Sequence, residues 1–526
     1  MLDLLMTSIG GIIGSGWLYG SWKGGYLAGP AADISWLIGG VAVLLIGLVY
    51  AELGGALPEA GAIVRYPQFS HGTFVSYIMG WGALIAYASV PPIEAEAAVQ
   101  FMGYYWPAVY STHAGALTTL GIFVCVAFMI LFFFINYFGV WIFGKTNTYW
   151  TLLKIAIPTL AILVLFFGGH FNAANFTSHG GFTPLGTSGI FAAVPLGGIV
   201  FAYLGFRQSL DLAGEAKRPQ RDVPRAVIGS ILIGAVLYLL LQSVWIGNMP
   251  AAKLVHGWAA TQSEFGAPFS DLAALVGFGW LASILLADAI WSPTGTGNVY
   301  LASTSRVMYA MAKNRYFPRF LLWVNPKSGV PVWALVLTFF IGLFFMLPFP
   351  SWSSLVGVLS NATVFTFVIG PVATTVLRRT MPDLPRPFRL GGLGFIAPAA
   401  FVIASLIIYW SGWSISSIVE VFILIGVLLY GYGASSFADD TAIYGGRYLR
   451  SGIWLVAYIL FILAMTAFGS KNFGAPVHVI PYPLDVLVVI AGSLVFYYWA
   501  VASGIVTFET ERKNQELARG RSASAD

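Results

Sequence analysis

Four charged side chains sit where the surrounding sequence leaves no room for water. Lys154 lies in Thr151-Leu152-Leu153-Lys154-Ile155-Ala156-Ile157-Pro158, Arg207 follows Tyr203-Leu204-Gly205-Phe206, and Glu94 and Glu96 lie in Pro91-Pro92-Ile93-Glu94-Ala95-Glu96-Ala97. A charge at the centre of a bilayer costs at least about 2.5–3.5 kcal/mol, so one that persists there needs a partner or a task. Burial disfavours an ammonium relative to its neutral amine, so Lys154 could gain and lose a proton. It could instead stay charged and tie its helix to the carbonyls of another, or snorkel to an interface. The guanidinium of Arg207 suits bidentate capture of a solute carboxylate; the competing reading is an internal ion pair with Asp211, Glu94 or Asp288. Glu94 and Glu96, two residues apart on a helix, face different directions, so at most one points into a shared site. Either could carry a proton, and Asp288 is a third candidate. His71, His113, His170, His179, His256 and His478 fall in or near loops without a repeated ligand spacing, and Cys125 is the one cysteine. No metal site, cofactor or intrachain disulfide is expected.

Two glycine clusters interrupt what should be smooth apolar helices. One is Gly10-Gly11-Ile12-Ile13-Gly14-Ser15-Gly16, and the other is Pro195-Leu196-Gly197-Gly198 continuing to Tyr203-Leu204-Gly205-Phe206. Either alone could serve close helix packing. As a pair, five spans apart, they point to discontinuous helices at matching positions of two halves, with a solute site between them near the bilayer midplane. A half-helix starting near Ser15 and Gly16 offers free N–H groups to a carboxylate. Freed carbonyls of Ile12, Phe201, Ala202 and Leu204 could accept from an ammonium. Such main-chain recognition fits any α-amino acid and leaves selectivity to Phe201, Tyr203, Arg207 and Tyr300, with Phe201 also placed to cover the solute as a gate. Ordinary packing is the competing reading for each aromatic.

The elements that must hold these residues are membrane helices. Of 526 residues, 58% are hydrophobic and only 9% charged, far from the roughly 25% charged residues of soluble domains. Apolar runs predict an all-α polytopic protein with spans at Leu4–Leu27, Ile34–Leu57, Val75–Tyr104, Leu117–Phe138, Trp150–Phe167, Gly189–Leu212 and Ala226–Met249. The second half adds Phe278–Ala310, Pro331–Leu347, Ser353–Val376, Phe395–Trp410, Ile415–Tyr432, Ile453–Phe468 and Leu484–Ile505, about fourteen in all. The first thirty residues lack a basic start and read as a retained helix rather than a cleaved leader. With the first helix running outward, 21 of the 26 lysines and arginines fall in inside loops, which places both termini in the cytoplasm. The polar tail from Thr510 reads as disordered. The basic residues form no stripe for nucleic acid; the lipid bilayer is the main partner.

Four motifs together resemble the amino acid–polyamine–organocation (APC) family over most of Leu4–Val376. They are Gly11-Ile12-Ile13-Gly14-Ser15-Gly16-Trp17; Tyr50-Ala51-Glu52-Leu53-Gly54 with Pro58-Glu59-Ala60-Gly61; Glu215-Ala216-Lys217-Arg218-Pro219-Gln220-Arg221-Asp222-Val223-Pro224-Arg225-Ala226; and Ser305-Arg306-Val307-Met308-Tyr309-Ala310 continuing to Pro326-Lys327-Ser328-Gly329-Val330-Pro331. The resemblance implies a LeuT-like five-plus-five inverted repeat with broken helices 1 and 6: residues 1–170 and 187–377, followed by additional helices at 393–506 and a polar tail at 507–526. Lys154 resembles the helix-five lysine that stands in for a bound cation in sodium-independent relatives. Arg207 is a departure, because relatives commonly carry an acidic residue there. The chain also departs by beginning almost inside its first helix and by exceeding the more usual twelve spans. Pro91 to Ala97 is similar to the aspartate–proton symporter branch.

The expectation is therefore a secondary transporter of amino acids in the plasma or inner membrane, sodium-independent and proton-coupled through Lys154, Glu94 or Glu96, preferring acidic substrates. An amino acid exchanger, an organocation or polyamine carrier and a non-transporting sensor are the alternatives. No G-x-S-x-G, P-loop or H-E-x-x-H motif supports an enzyme. The last two helices could serve oligomerisation or lipid contact.

Overall fold

The computed structural model describes residues 1–111, 115–138, 140–346, 352–436 and 446–522, so His113 lies outside the described residues. Its helices in chain order are α1 (Leu2–Ile12), α2 (Ser15–Ala28), α3 (Ala32–Ala56), α4 (Ala62–Ser70), α5 (Thr73–Ala88), α6 (Val90–Met102), α7 (Thr119–Tyr137), α8 (Val140–Phe167), α9 (Gly186–Leu196), α10 (Ile199–Tyr203) and α11 (Gln208–Asp211). There follow α12 (Pro219–Gly247), α13 (Pro268–Leu275), α14 (Gly279–Lys313), α15 (Val332–Met346), α16 (Trp352–Phe367), α17 (Ile369–Thr380), α18 (Leu393–Trp410), α19 (Trp413–Ser436), α20 (Gly446–Phe468), α21 (Leu484–Ser503) and α22 (Phe508–Ser522). One two-stranded antiparallel ribbon pairs Tyr110 with Leu117 and Ser111 with Ala116.

Among the described residues, 10 helical stretches are long and apolar enough to cross a membrane, or 11 when Gly186–Leu196 and Ile199–Asp211, bent by 46°, count as one broken span. The sequence reading of about fourteen differs for identifiable reasons. α1 and α15 are shorter than a full span on their own, and Ser15–Ala56 runs as one helical stretch through the 3-10 turn at Gly29–Ala31. α14 carries a polar stripe, Asp288, Ser292, Thr296, Tyr300 and Ser303, that lowers its mean hydropathy.

Local chemistry sets the boundaries. Thr118 caps α7 by accepting the Gly121 N–H at 3.1 Å. Pro91 and Pro92 sit in the first turn of α6, where the missing N–H groups would lack helical partners anyway. Gly61, at φ +67°, starts α4 in the left-handed region. The tail is a correction to the sequence reading, because Phe508–Ser522 is helical. The Thr507 and Thr510 hydroxyls donate to the Phe69 carbonyl at 3.3 and 2.5 Å, and Glu509 lies 3.8 Å from Arg65. These long-range ties to Phe69 and Arg65 supply the order that a low apolar content could not.

Burial separates the middle of the molecule from its rim. Every residue in the apolar window of Leu355–Thr380 is buried, whereas only 22% of the window in Leu484–Ser503 is. Outward rings such as Phe123, Phe166 and Tyr498 suit contact with acyl chains. The interrupted segments α1/α2 and α9/α10 lie in the buried middle, packed against α3, α8, α12 and α14.

Candidate functional site

α1 closes when the Ile13 N–H donates to the Ile9 carbonyl at 2.8 Å, and Gly14 turns the chain before α2 starts at Ser15. The start of α2 is the carboxylate-binding geometry expected of a half-helix, and a carboxylate is there. The Ser15 N–H donates to Glu94 Oε2 at 2.9 Å and the Ser15 hydroxyl donates to Glu94 Oε1 at 3.1 Å. The Trp352 indole N–H donates to Ser15 Oγ at 2.7 Å. Of the two acidic residues on α6, Glu94 therefore faces the break. Glu96 does not share its partners: both its oxygens lack a hydrogen bond among the described residues.

The second break falls at Gly197-Gly198, where Gly198 takes φ +75°, and the chain then tightens into a 3-10 turn over Leu204–Arg207. The two broken segments cross backbone to backbone. A Cβ on Gly205 would fall 2.2 Å from the Gly11 carbonyl carbon and the Ile12 nitrogen, and one on Gly16 would fall 3.0 Å from Ala202 Cα and 3.2 Å from Phe201 Cδ1. Glycine is required by contact with main chain that cannot yield. Nearby, Ser8 Oγ donates to the Phe206 carbonyl at 3.1 Å and accepts the Ser209 N–H at 3.2 Å.

Two of the expected ammonium acceptors already have donors. The Ile12 carbonyl accepts the Tyr238 hydroxyl at 2.7 Å and the Gly14 N–H at 3.1 Å, and the Phe201 carbonyl accepts the Leu204 N–H. Each carbonyl has two lone pairs. The Phe201 ring stands edge-on to Trp352 at 6.0 Å, and Trp352 in turn lies 4.4 Å from Tyr19. Tyr203 turns the other way, with its ring 5.7 Å from Trp36 and 5.5 Å from Tyr238. Its place is in the packing between α3 and α12.

Lys154 is 2% exposed and does not reach an interface. Its Nζ donates to the Gly10 carbonyl at 3.0 Å and to Thr296 Oγ1 at 2.7 Å, and the Thr296 hydroxyl lies 2.9 Å from the Gly10 carbonyl and 3.2 Å from that of Ile13. One ammonium thus joins α8 to the last turn of α1 and to α14.

Arg207 is the least satisfied group in the region. It is 2% exposed, and none of its three guanidinium nitrogens has a hydrogen-bond partner among the described residues. Aromatic faces surround it, with Tyr87 at 3.1 Å, Tyr300 at 5.6 Å and Phe367 at 5.8 Å from the guanidinium carbon. The internal ion pair considered with Asp211, Glu94 or Asp288 is not made. The side chains diverge although Gln208–Asp211 is helical: the guanidinium turns onto the Tyr87 face instead of reaching back along the helix to Asp211. Asp288 likewise has no hydrogen-bond partner on either oxygen among the described residues.

Sequence reasoning missed Trp352, Tyr238 and Thr296. Thr296 was available in the stripe Ser292, Thr296, Tyr300, whose spacing of four residues lines one face of α14. Trp352 and Tyr238 carried no such signal, because each is one aromatic among many until the fold brings it to the break.

The sequence pattern of the family described as amino acid permease matches residues 1–430. The chain belongs to that family. The permease is 40% identical over 532 residues to the glutamate/serine transporter AimA of Bacillus subtilis, covering 99% of this chain and 97% of that protein. It is 39% identical over 505 residues to the aspartate-proton symporter of the same organism, covering 96% of each. The branched-chain amino acid permease BcaP is more distant, at 28% over 443 residues and 81% of this chain. The permease is accordingly a multi-pass membrane transporter of amino acids, not an enzyme, and stands close to carriers of acidic amino acids.

Proposed function

We propose that the permease is a secondary active carrier that takes up acidic amino acids, aspartate and glutamate foremost, across the cytoplasmic membrane by alternating access, without sodium and with protons. The observation that carries this reading is the Arg207 guanidinium, buried in an aromatic box with no hydrogen-bond partner among the described residues. A buried cation left in that state favours an anionic ligand that can supply what the protein does not. Two relatives named for glutamate and for aspartate transport support the same substrate class.

In this reading the substrate's α-carboxylate docks at the start of α2 on Ser15 and Gly16, its ammonium on carbonyls among Ile12, Phe201, Ala202 and Leu204, and its side-chain carboxylate on Arg207. Phe201 and Tyr300 line the path, with Phe201 closing over the ligand. Lys154 holds α1 to α8 and α14 where a sodium ion would otherwise bridge them, and proton traffic involves Lys154, Glu94 and Glu96. The frame is a five-plus-five inverted repeat, 1–170 and 187–377, within about fourteen spans, with 393–506 as added helices, 507–526 as a tail and both termini cytoplasmic.

The test is uptake of labelled aspartate, glutamate, serine and arginine into proteoliposomes, with and without an inward proton gradient. Accumulation of the acidic substrates that follows the gradient and ignores sodium is expected. Absence of acidic uptake would refute the assignment. Uptake indifferent to the gradient but stimulated by amino acid loaded inside would make the permease an exchanger.

A further inference from the structure

The start of α2 is not vacant. The donors that should receive a substrate carboxylate, the Ser15 N–H and hydroxyl, are held by Glu94 at 2.9 and 3.1 Å. The space around that carboxylate is cut to fit. A Cβ on Gly14 would lie 2.8 Å from Glu94 Oε1, and one on Gly297 would lie 3.3 Å from Glu94 Cβ. Gly14 leaves room shared by the Glu94 carboxylate and Thr296, and Gly297 leaves room for Phe132, at 2.7 Å from such a Cβ, with the Glu94 stem beside it. The same donors cannot serve two carboxylates at once, and two ionised carboxylates in one dry site repel strongly.

We propose that Glu94 is a resident stand-in for the substrate's α-carboxylate, and that binding exchanges one carboxylate for the other as Glu94 takes up a proton. The inference rests on the reading that an amino acid binds at the α1/α2 break. A proton from the aqueous side adds to a Glu94 carboxylate oxygen, giving a neutral carboxyl with less hold on the Ser15 donors. The incoming α-carboxylate takes those donors, so one anion replaces another and the pocket's charge is unchanged by that swap. After release on the far side, Glu94 returns the proton to water and settles again on Ser15. The substrate and the proton are thereby tied one to one without a contact between them.

The ionisable neighbours that bear on Glu94 come from α2, α8, α12 and α14. Lys154 on α8 is the cation, Tyr19 on α2 and Tyr238 on α12 are close, Tyr300 lies one turn along α14 from Thr296, and Asp288 on α14 acts on Lys154. Lys154 is anchored on Gly10 and Thr296 rather than on Glu94, so its position does not depend on the contact between Glu94 and Ser15.

The experiment is aspartate binding to the purified full-length protein in weakly buffered detergent, with a pH-sensitive dye reporting proton uptake. About one proton should be taken up per aspartate bound, and Kd should fall up to about tenfold per pH unit of acidification. Glu94→Gln, which mimics the neutral carboxyl, should bind aspartate with a Kd independent of pH, take up no proton and catalyse aspartate exchange while failing to accumulate it on a gradient. Aspartate binding to the wild type without proton uptake, or an unchanged pH slope in Glu94→Gln, overturns the proposal and leaves the functional reading intact. A wild type that binds no acidic amino acid overturns both. Should Glu94→Gln not fold, infrared difference spectra of the wild type decide: a protonated-carboxyl band appearing on aspartate addition supports the exchange, and its absence refutes it.

Discussion

Replacing Arg207 with methionine isolates the contribution of one charge, because methionine keeps most of the side-chain volume without the guanidinium. Among the described residues that guanidinium has no hydrogen-bond partner, and it lies against Tyr87 at 3.1 Å. A desolvated cation–π contact is worth about 2 kcal/mol, while burying an unpaired cation costs several kcal/mol. Arg207→Met should therefore leave thermal stability unchanged or raise it, an unusual result for a buried arginine. With an acidic substrate bound the balance reverses. Hydrogen bonds to charged groups contribute about 1.5–3 kcal/mol net, so loss of the pair should lower kcat/KM for aspartate roughly 10- to 150-fold. Serine, with no side-chain carboxylate, should change by less than about threefold. The assay is initial-rate uptake of both substrates in proteoliposomes, paired with melting curves of the detergent-solubilised protein. A parallel fall for aspartate and serine, or a marked drop in melting temperature, would refute the assignment of Arg207 to the side-chain carboxylate.

Lys154→Ala should leave the Gly10 carbonyl and Thr296 without their shared donor and cost about 1–3 kcal/mol, read as a lower melting temperature. Gly205→Ala should be worse than a typical surface change, because its Cβ meets main chain at 2.2 Å; about 1–3 kcal/mol or failure to fold is expected, checked by size-exclusion profile and melting curve. At the polar rim, Glu52 accepts from Arg378 Nε at 2.8 Å and from the Leu390 N–H at 2.8 Å. Glu52→Gln should destabilise the α3–α17 junction by about 2–4 kcal/mol, measured by denaturation in detergent, given that Arg378 is partly exposed. For Glu59 burial alone would raise the carboxyl, but Arg65 and Lys313 beside it hold it below its ordinary value. Its folded value is depressed, so its contribution is present above the ordinary carboxylate range and lost as pH falls through the folded value. Glu59→Gln should flatten the acid limb of the stability–pH profile below about pH 4.

The parts of this molecule that could be read from sequence are those in which composition alone carries the signal. Long apolar runs give spans, glycine clusters give breaks, and an isolated Lys154 or Arg207 in an apolar run stands out whatever surrounds it. What could not be read depends on pairing across the fold. Nothing local says that Glu94 lands on Ser15, 79 residues away, or that Tyr238 reaches the Ile12 carbonyl. The expected Arg207–Asp211 pair is not made because the guanidinium lies on Tyr87, a ring from α5 that the spacing along residues 207–211 could not announce. The tail was misjudged because its order comes from the Phe69 carbonyl and Arg65 rather than from its own composition.

The crossing of Gly11 and Gly205 bears on how such a carrier could move. Side chains that interlock between helices act as gear teeth: turning one helix drags or jams the other. Here the chains touch main chain to main chain, with no teeth at the point of closest approach. A rotation about that point would meet no side chain at the crossing itself, while the same small angle would grow into a larger displacement toward the ends of both arms. A methyl group added at either glycine would convert a bearing into a wedge. The two residues with the least chemistry in the site are thus the ones on which its mechanics would turn.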